Sequence, residues 1–370
     1  MGTVLFFLSF LFVFGLLIFF HEFGHFIMAK LSNVEVLEFG FGFPPALYKK
    51  KRGNTVYSVN AIPLGGFVRL LGEDGSEANN PKSFAAQNKL VKAKIISAGV
   101  LMNLILAWFV FSLLYTVGFS PMIPDAEKHL GVHEHNYIVE IQEGTPASKA
   151  GILKNDELLK INGKEIKNLG EFRAEVKNNI GKEVKIEVSR GKEIKSFSLV
   201  PFKETIEGQE MGRIGIQTTD STRADNIFWA STAGFSETVR LAKMTVLGIA
   251  GFFGKLFTTF TVGENVVGPV GIAALTDQVR QLGFLFLLQF VAILSISLAL
   301  VNILPIPGLD GGHLLFIILE KIRGKDVNLA VKNTLTIIGL AFLLILILLI
   351  TPKDLSRFGI IDSVKNFFGF

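Results

Sequence analysis

His21, Glu22 and His25 stand in the order His-Glu-Phe-Gly-His, a spacing that binds metal when the chain is helical. A helix sets residues i and i+4 on one face, about 5–6 Å apart at Cβ, so two imidazole nitrogens can reach one ion. Zinc takes nitrogen at about 2.0–2.1 Å, and its catalytic sites commonly have three protein ligands and an open position for water. Glu22, beside the first ligand, is the candidate general base. The pentapeptide alone also suits surface or capping residues of a soluble helix. Here its neighbours are Leu16, Leu17, Ile18, Phe19, Phe20, Phe26 and Ile27, and ionisable groups in lipid are costly unless they face protein or water. Helical rise from Val4 to His21 is about 26 Å, which predicts a motif near the inner edge of the hydrocarbon.

The third ligand should be an acid in another apolar segment, and Asp310 is the candidate. It sits in Asn302-Ile303-Leu304-Pro305-Ile306-Pro307-Gly308-Leu309-Asp310-Gly311-Gly312, where two prolines and three glycines must break a helix. Irregular backbone at membrane depth is tolerated only beside protein or a water-filled cavity, so this loop is expected to line a pocket. Asn302 and the backbone groups freed by Pro305 and Pro307 are candidates to hold an extended substrate. The plainer alternative is a proline kink with a turn aspartate.

These residues need helices to carry them, and the composition supplies apolar ones. Of 370 residues, 49% are hydrophobic and mean hydropathy is +0.47, too apolar for an ordinary soluble protein. Runs from Val4 to Ala29, Ile95 to Gly118, Leu282 to Leu304 and Leu335 to Ile350 predict four spans of a bilayer core about 30 Å thick. The first run lacks a preceding basic residue and carries ionisable groups, so it reads as a permanent helix rather than a signal peptide. With no cysteine in the chain, disulfides, thiolate ligands and a cysteine nucleophile are excluded. The net charge of +5 is read as membrane topology rather than nucleic-acid binding. Lysines and arginines from Lys30 to Lys94 fill the first connection, and Lys321, Arg323, Lys325 and Lys332 fill the last. Positive-inside asymmetry puts both connections in the cytoplasm and the long stretch from about Phe119 to Gln281 outside.

The expected fold class is a polytopic α-helical membrane protein of about four spans, with a membrane-associated β-hairpin region and one inserted α+β domain. Residues 1–118 hold the first two spans, the His-Glu motif and short strands at 39–45, 55–60 and 62–73 that are expected to form hairpins. Residues 119–205 form the outward-facing inserted domain, in which Gly144-Thr145-Pro146-Ala147-Ser148-Lys149-Ala150-Gly151 and Ile161-Asn162-Gly163 resemble a PDZ domain. Such a domain takes a peptide C-terminus or extended segment along a sheet edge. Residues 206–281 are expected to hold amphipathic helices at the membrane surface, because Ser236, Glu237, Arg240 and Lys243 interrupt the apolar run at 226–262; a fifth span there is the rival topology. Residues 282–370 carry the last two spans and the Asp310 loop. His129, His133 and His135 read as solvated surface, and His313 either supports Asp310 or simply opens a helix.

HEFGH at 21–25, SAGVLMN at 97–103, IPLGGFVRLLGE at 62–73, VVGPVGIA at 266–273 and NILPIPGLDGG at 302–312 together resemble the site-2 protease family of intramembrane zinc metalloproteases, in the bacterial branch of the regulator of sigma-E protease. The resemblance spans nearly the whole chain. It implies Zn2+ held by His21, His25 and Asp310, Glu22 as base, and substrate contacts from Asn302, Pro305 and Pro307. It further implies strand pairing of substrate with the hairpin around Ile62–Glu73. The implied activity is a metalloendopeptidase of the cell inner membrane in regulated intramembrane proteolysis, cutting single-span proteins such as an anti-sigma factor or a remnant signal peptide. The alternatives are a membrane-anchored PDZ scaffold or metal carrier, a protease acting outside the bilayer, and a catalytically dead relative.

Overall fold

The computed structural model describes residues 2–123, 129–166, 168–191, 193–206, 209–259 and 266–358. In chain order its elements are α1 (Gly2–Leu31), β1 (Val36–Arg52), β2 (Thr55–Leu70), α2 (Lys89–Val117), β3 (Val132–Ile141), α3 (Pro146–Ala150), β4 (Glu157–Ile161), β5 (Lys164–Glu165), α4 (Leu169–Asn178), β6 (Val184–Arg190), β7 (Glu193–Leu199), β8 (Phe202–Ile206), β9 (Gln209–Arg213), β10 (Ile216–Ala224), α5 (Ile227–Thr259), α6 (Pro269–Leu282), α7 (Phe284–Asn302), α8 (Asp310–Arg323) and α9 (Leu329–Arg357). They fall into two units, residues 1–110 with 236–370 and residues 111–235.

In the first unit, long β1 and β2 each fold back on themselves. The first half of β1 pairs on one side with residues 56–59 and on the other with 66–70, while its second half pairs with 55–60. Residues 66–70 therefore form a sheet edge. Phe39 and Tyr57 bring the sheet onto α1 through rings of Phe19, Phe23 and Phe26, so the aromatic residues of that stretch serve packing. Lys89 at the start of α2 lies 3.5 Å from Asp326, so the α8–α9 connection lies beside the start of α2. Asp354, near the far end of α9, accepts hydrogen bonds from the N–H groups of Gly268 and Gly271 at 3.0 and 2.8 Å. Those orphan donors open α6, and side chains at either glycine would collide with the Asp354 carboxylate.

Five helices among the described residues are long and apolar enough to cross a membrane: α1, α2, α5, α7 and α9. The sequence reading expected four and placed one or two surface helices at 226–262, where a single 33-residue helix stands. Glu237 and Arg240 on α5 form a fork at 2.6 and 2.7 Å, so two of the charges that argued against apolarity neutralise each other.

The second unit contains an antiparallel sheet in the order β10-β3-β4-β6-β7, with β5 added to β4. Its core is built from Ile138, Leu158, Val184, Ile186, Val188 and Phe172. The sheet takes its edge strand from 216–224, beyond the 119–205 segment assigned to the inserted domain from sequence. β10 is polar along most of its length, Gln-Thr-Thr-Asp-Ser-Thr-Arg, so periodicity gives it little signal.

Buried Asp156 ties this unit together by accepting from Arg190 Nε and Nη2, both at 2.7 Å, and from the Leu153 N–H at 2.9 Å. Burial alone would raise its carboxyl, but the Arg190 fork and the Leu153 N–H hold it below the ordinary value. A lowered carboxylate pKa contributes stability above the unfolded pKa and loses it as pH falls through the folded one. Asp156→Asn is therefore expected to cost about 1–3 kcal/mol at neutral pH and to converge with the wild type in acid. Hydrogen exchange of the Ile161 and Ile186 amides at pH 7 checks the loss, and equal protection in both proteins would mean that the fork contributes nothing.

Candidate active site

Helical spacing brings His21 and His25 onto one face of α1, with their Nε2 atoms 3.3 Å apart. Asp310, 285 positions after His25 in the chain, completes the cluster: its Oδ2 lies 3.2 Å from His21 Nε2 and 3.4 Å from His25 Nε2. A tetrahedral ion with bonds of about 2.0–2.1 Å separates its ligand atoms by about 3.3–3.4 Å. The three donor atoms thus already stand at the spacing of three corners of a zinc tetrahedron. Asp310 Oδ2 is sealed from solvent and has no hydrogen-bond partner. A buried, unsatisfied carboxylate oxygen is costly, and a cation among the three atoms removes that cost. Among the described residues this is the one grouping of three such donors within bonding range.

Close approach of backbones makes the geometry possible. Gly24, inside the His-Glu motif, packs against the Ala98 carbonyl, and a Cβ there would also come within 2.9 Å of Met102 Cβ. Gly99 faces the imidazoles themselves: its Cβ would overlap His25 Nε2 and lie 2.8 Å from His21 Cε1. The two glycines after Asp310 have the same logic, since a Cβ on Gly311 would strike the carbonyls of Ile303 and Leu304, and one on Gly312 would strike that of Ile306. α8 can therefore start at Asp310 and lie directly on the loop that precedes it.

Glu22 opens on the same crevice as the cluster. The cavity measures about 330 Å³ and is walled by His21, Glu22, His25, Asp310 and His313 together with Phe67, Val68 and Leu70 of β2. A Cβ on Gly66 would sit 3.3 Å from Glu22 Cγ, so the edge of the β1–β2 sheet runs past the candidate base. Glu73 also borders the crevice and accepts from the Leu70 N–H at 3.2 Å. Sequence reasoning named Glu73 only as the end of the Ile62–Glu73 hairpin and gave its carboxylate no role of its own, because a glutamate after a Gly turn looks like any other.

The proposed substrate contacts separate in space. Asn302 stands 3.4 Å from His21 Nε2 through its side-chain amide. Pro305 is exposed on the loop, while the Pro307 carbonyl packs so closely on α9 that a Cβ at Gly339 would collide with it. Neither proline borders the crevice. His133 and His135 pair instead with Asp225 and Glu157, as expected of ordinary surface histidines.

In the second unit a groove of about 540 Å³ lies between α4 and the start of β10, lined by Phe172, Val176, Met211, Ile214 and Ile216 with Arg173, Lys177 and Arg213 at its rim.

The chain is similar to known proteins over most of its length. A Clostridium acetobutylicum protein named as a candidate zinc metalloprotease is 34% identical over 92% of this chain and 94% of its own. The regulator of sigma-W protease RasP of Bacillus subtilis is 28% identical, covering 95% of this chain and 98% of its own. The PDZ domain of the SdrC-like protein of Listeria monocytogenes aligns over 25% of this chain and 93% of its own, at 21% identity and a TM-score of 0.21. The model of peptidase family M50 matches residues 9–346, and the chain belongs to that family.

Proposed function

We infer that this multi-pass membrane protein is an intramembrane zinc metalloprotease acting in regulated intramembrane proteolysis, with His21, His25 and Asp310 as zinc ligands and Glu22 as general base. The observation that carries the reading is the triangle of donor atoms at 3.2, 3.3 and 3.4 Å, drawn from two apolar parts of the chain. Zinc, when bound, supplies the Lewis acidity that polarises a water and a scissile carbonyl. Glu22 takes the proton of the attacking water and passes it to the leaving amide nitrogen, so that one carboxylate serves both halves of the hydrolysis. Val68 and its neighbours on the 66–70 sheet edge hold the unwound substrate as an added strand. Asn302 contacts the same segment from the other side, and the Pro305–Pro307 bends keep the opposing loop open. A helical substrate has its carbonyls already bonded, so local unwinding must precede attack.

Membrane sidedness follows from charge. The connections rich in lysine and arginine, brought together by the Lys89–Asp326 pair, lie in the cytoplasm and the inserted domain lies outside. Four spans fit this arrangement better than five. α5 starts against Ser112, near the end of α2, and α6 starts at the far end of α9 through Asp354. If α5 crossed, its C-terminal end would face the cytoplasm, whereas α6 starts beside Asp354, at the end of α9 assigned to the outside. α5 therefore lies along the outer surface. The groove beside α4 takes an extended peptide or C-terminus added to the start of β10, the end strand of the sheet, whose outer edge is bridged farther along by Phe119 at Thr222. Substrates are single-span proteins of the anti-sigma-factor or remnant-signal-peptide type.

Asp310→Asn tests the ligand set. The variant is expected to lose at least tenfold in zinc affinity, with cleavage of a single-span substrate falling in parallel, because a neutral amide oxygen replaces the one anionic ligand. Elemental analysis of purified wild type and variant checks it, and wild-type zinc content in the variant would assign the third ligand elsewhere.

A further inference from the structure

His25 and His21 each present Nε2 to the candidate zinc position, and each must park its other nitrogen. His25 Nδ1 does so on the Ile95 carbonyl at 2.9 Å. A carbonyl only accepts, so Nδ1 carries the proton and Nε2 keeps the lone pair a metal needs. His21 has no carbonyl at that place. Its Nδ1 lies 3.4 Å from the side-chain amide of Asn103, a residue of α2 that is entirely buried.

As placed, Asn103 turns its NH2 toward His21 Nδ1, and its Oδ1 is sealed from solvent with no hydrogen-bond partner. That orientation forces a neutral His21 to carry its proton on Nε2, the atom aimed at Asp310 and the metal. A half-turn of the amide exchanges two groups of the same shape. Oδ1 then accepts the Nδ1–H of His21, and Nε2 is free to bind. The end of the amide turned away from His21 has no partner as placed, so the exchange breaks no hydrogen bond there. The Asn103 backbone is fixed independently: Ser295 Oγ on α7 donates to its carbonyl at 2.8 Å.

We propose that Asn103 is a positioning residue for the zinc site, accepting a hydrogen bond from His21 Nδ1 through Oδ1 and thereby fixing the tautomer in which Nε2 is the ligand. The proposal rests on the zinc reading above. It gives the Asn of SAGVLMN a role distinct from that of Gly99: the glycine makes room for the imidazoles, and the asparagine orients one of them. Partners of this kind are worth about 10–100-fold in metal affinity.

The test is zinc affinity of the full-length, detergent-solubilised protein, measured by chelator competition for wild type, Asn103→Leu and Asn103→Asp, with thermal melting of each metal-free protein. Asn103→Leu, which keeps the bulk and loses the acceptor, is expected to bind zinc about 10–100-fold more weakly while melting near the wild-type temperature. Asn103→Asp, whose carboxylate accepts from Nδ1–H, is expected to keep wild-type affinity or exceed it. Should the leucine variant fail to fold, the aspartate variant decides alone, since a tenfold loss there overturns the acceptor role. Wild-type affinity in a folded leucine variant also overturns it and leaves the ligand set standing. Absence of zinc binding by the wild type would overturn both.

Discussion

Glu22→Gln is expected to retain its zinc and to lose about 10²–10⁴-fold in turnover of a single-span substrate, the usual range for removing a positioned acid–base group. Glutamine keeps the shape and the place of Glu22 in the wall of the crevice, but its amide cannot take the proton of the attacking water. The ligand atoms are untouched, because Glu22 is not a member of the His21–His25–Asp310 triangle. Metal content and cleavage should therefore come apart in this variant, whereas in Asp310→Asn they should fall together. Paired measurement of bound zinc and of single-turnover cleavage in detergent or liposomes distinguishes the two. Turnover within threefold of the wild type would move the base to another group, and Glu73, on the same crevice, would become the first candidate.

The second large effect is expected at a residue with no chemistry of its own. Gly99→Val should empty the metal site, with zinc falling below a tenth of the wild-type content and activity with it. A Cβ at this position already overlaps His25 Nε2 and presses on His21 Cε1, and valine adds two methyl groups that cannot retreat, because α1 and α2 are held together where Gly24 meets the Ala98 carbonyl. Interiors are packed too tightly to absorb that volume without moving a neighbour, and the neighbours here are the two imidazoles. Gly248→Ala on α5 is the matched control: nothing lies within 4 Å of its added Cβ, so zinc and activity should be unchanged and the helix slightly favoured. Normal zinc in Gly99→Val would mean that α2 does not abut the imidazoles.

The pattern of residues made part of this site legible in advance. His21 and His25 meet because any helix brings i and i+4 together, and their lipid-like surroundings marked them as more than surface. Asp310 stood out for the opposite reason, as an acid in a proline- and glycine-broken stretch where hydrocarbon would otherwise forbid it. Local rules did less well with the inserted domain. β10 completes its sheet from beyond the 119–205 segment, and a polar edge strand has no alternation for periodicity to detect. α5 was read by its charges, whereas in the structure Glu237 and Arg240 pair on the helix itself.

The chain's own order of residues pointed to the groups proposed to do the chemistry, since zinc binding, proton transfer and tolerance of lipid are properties of residue type and short-range spacing. Tertiary structure alone decided that Asp310 closes the triangle within 3.4 Å, that Gly99 rather than a larger residue faces the imidazoles, that Asn103 stands behind His21, and that Pro305 and Pro307 lie away from the crevice. Those facts depend on how helices distant in sequence pack, and close packing is set by shape at the sub-ångström level, which a linear pattern does not encode.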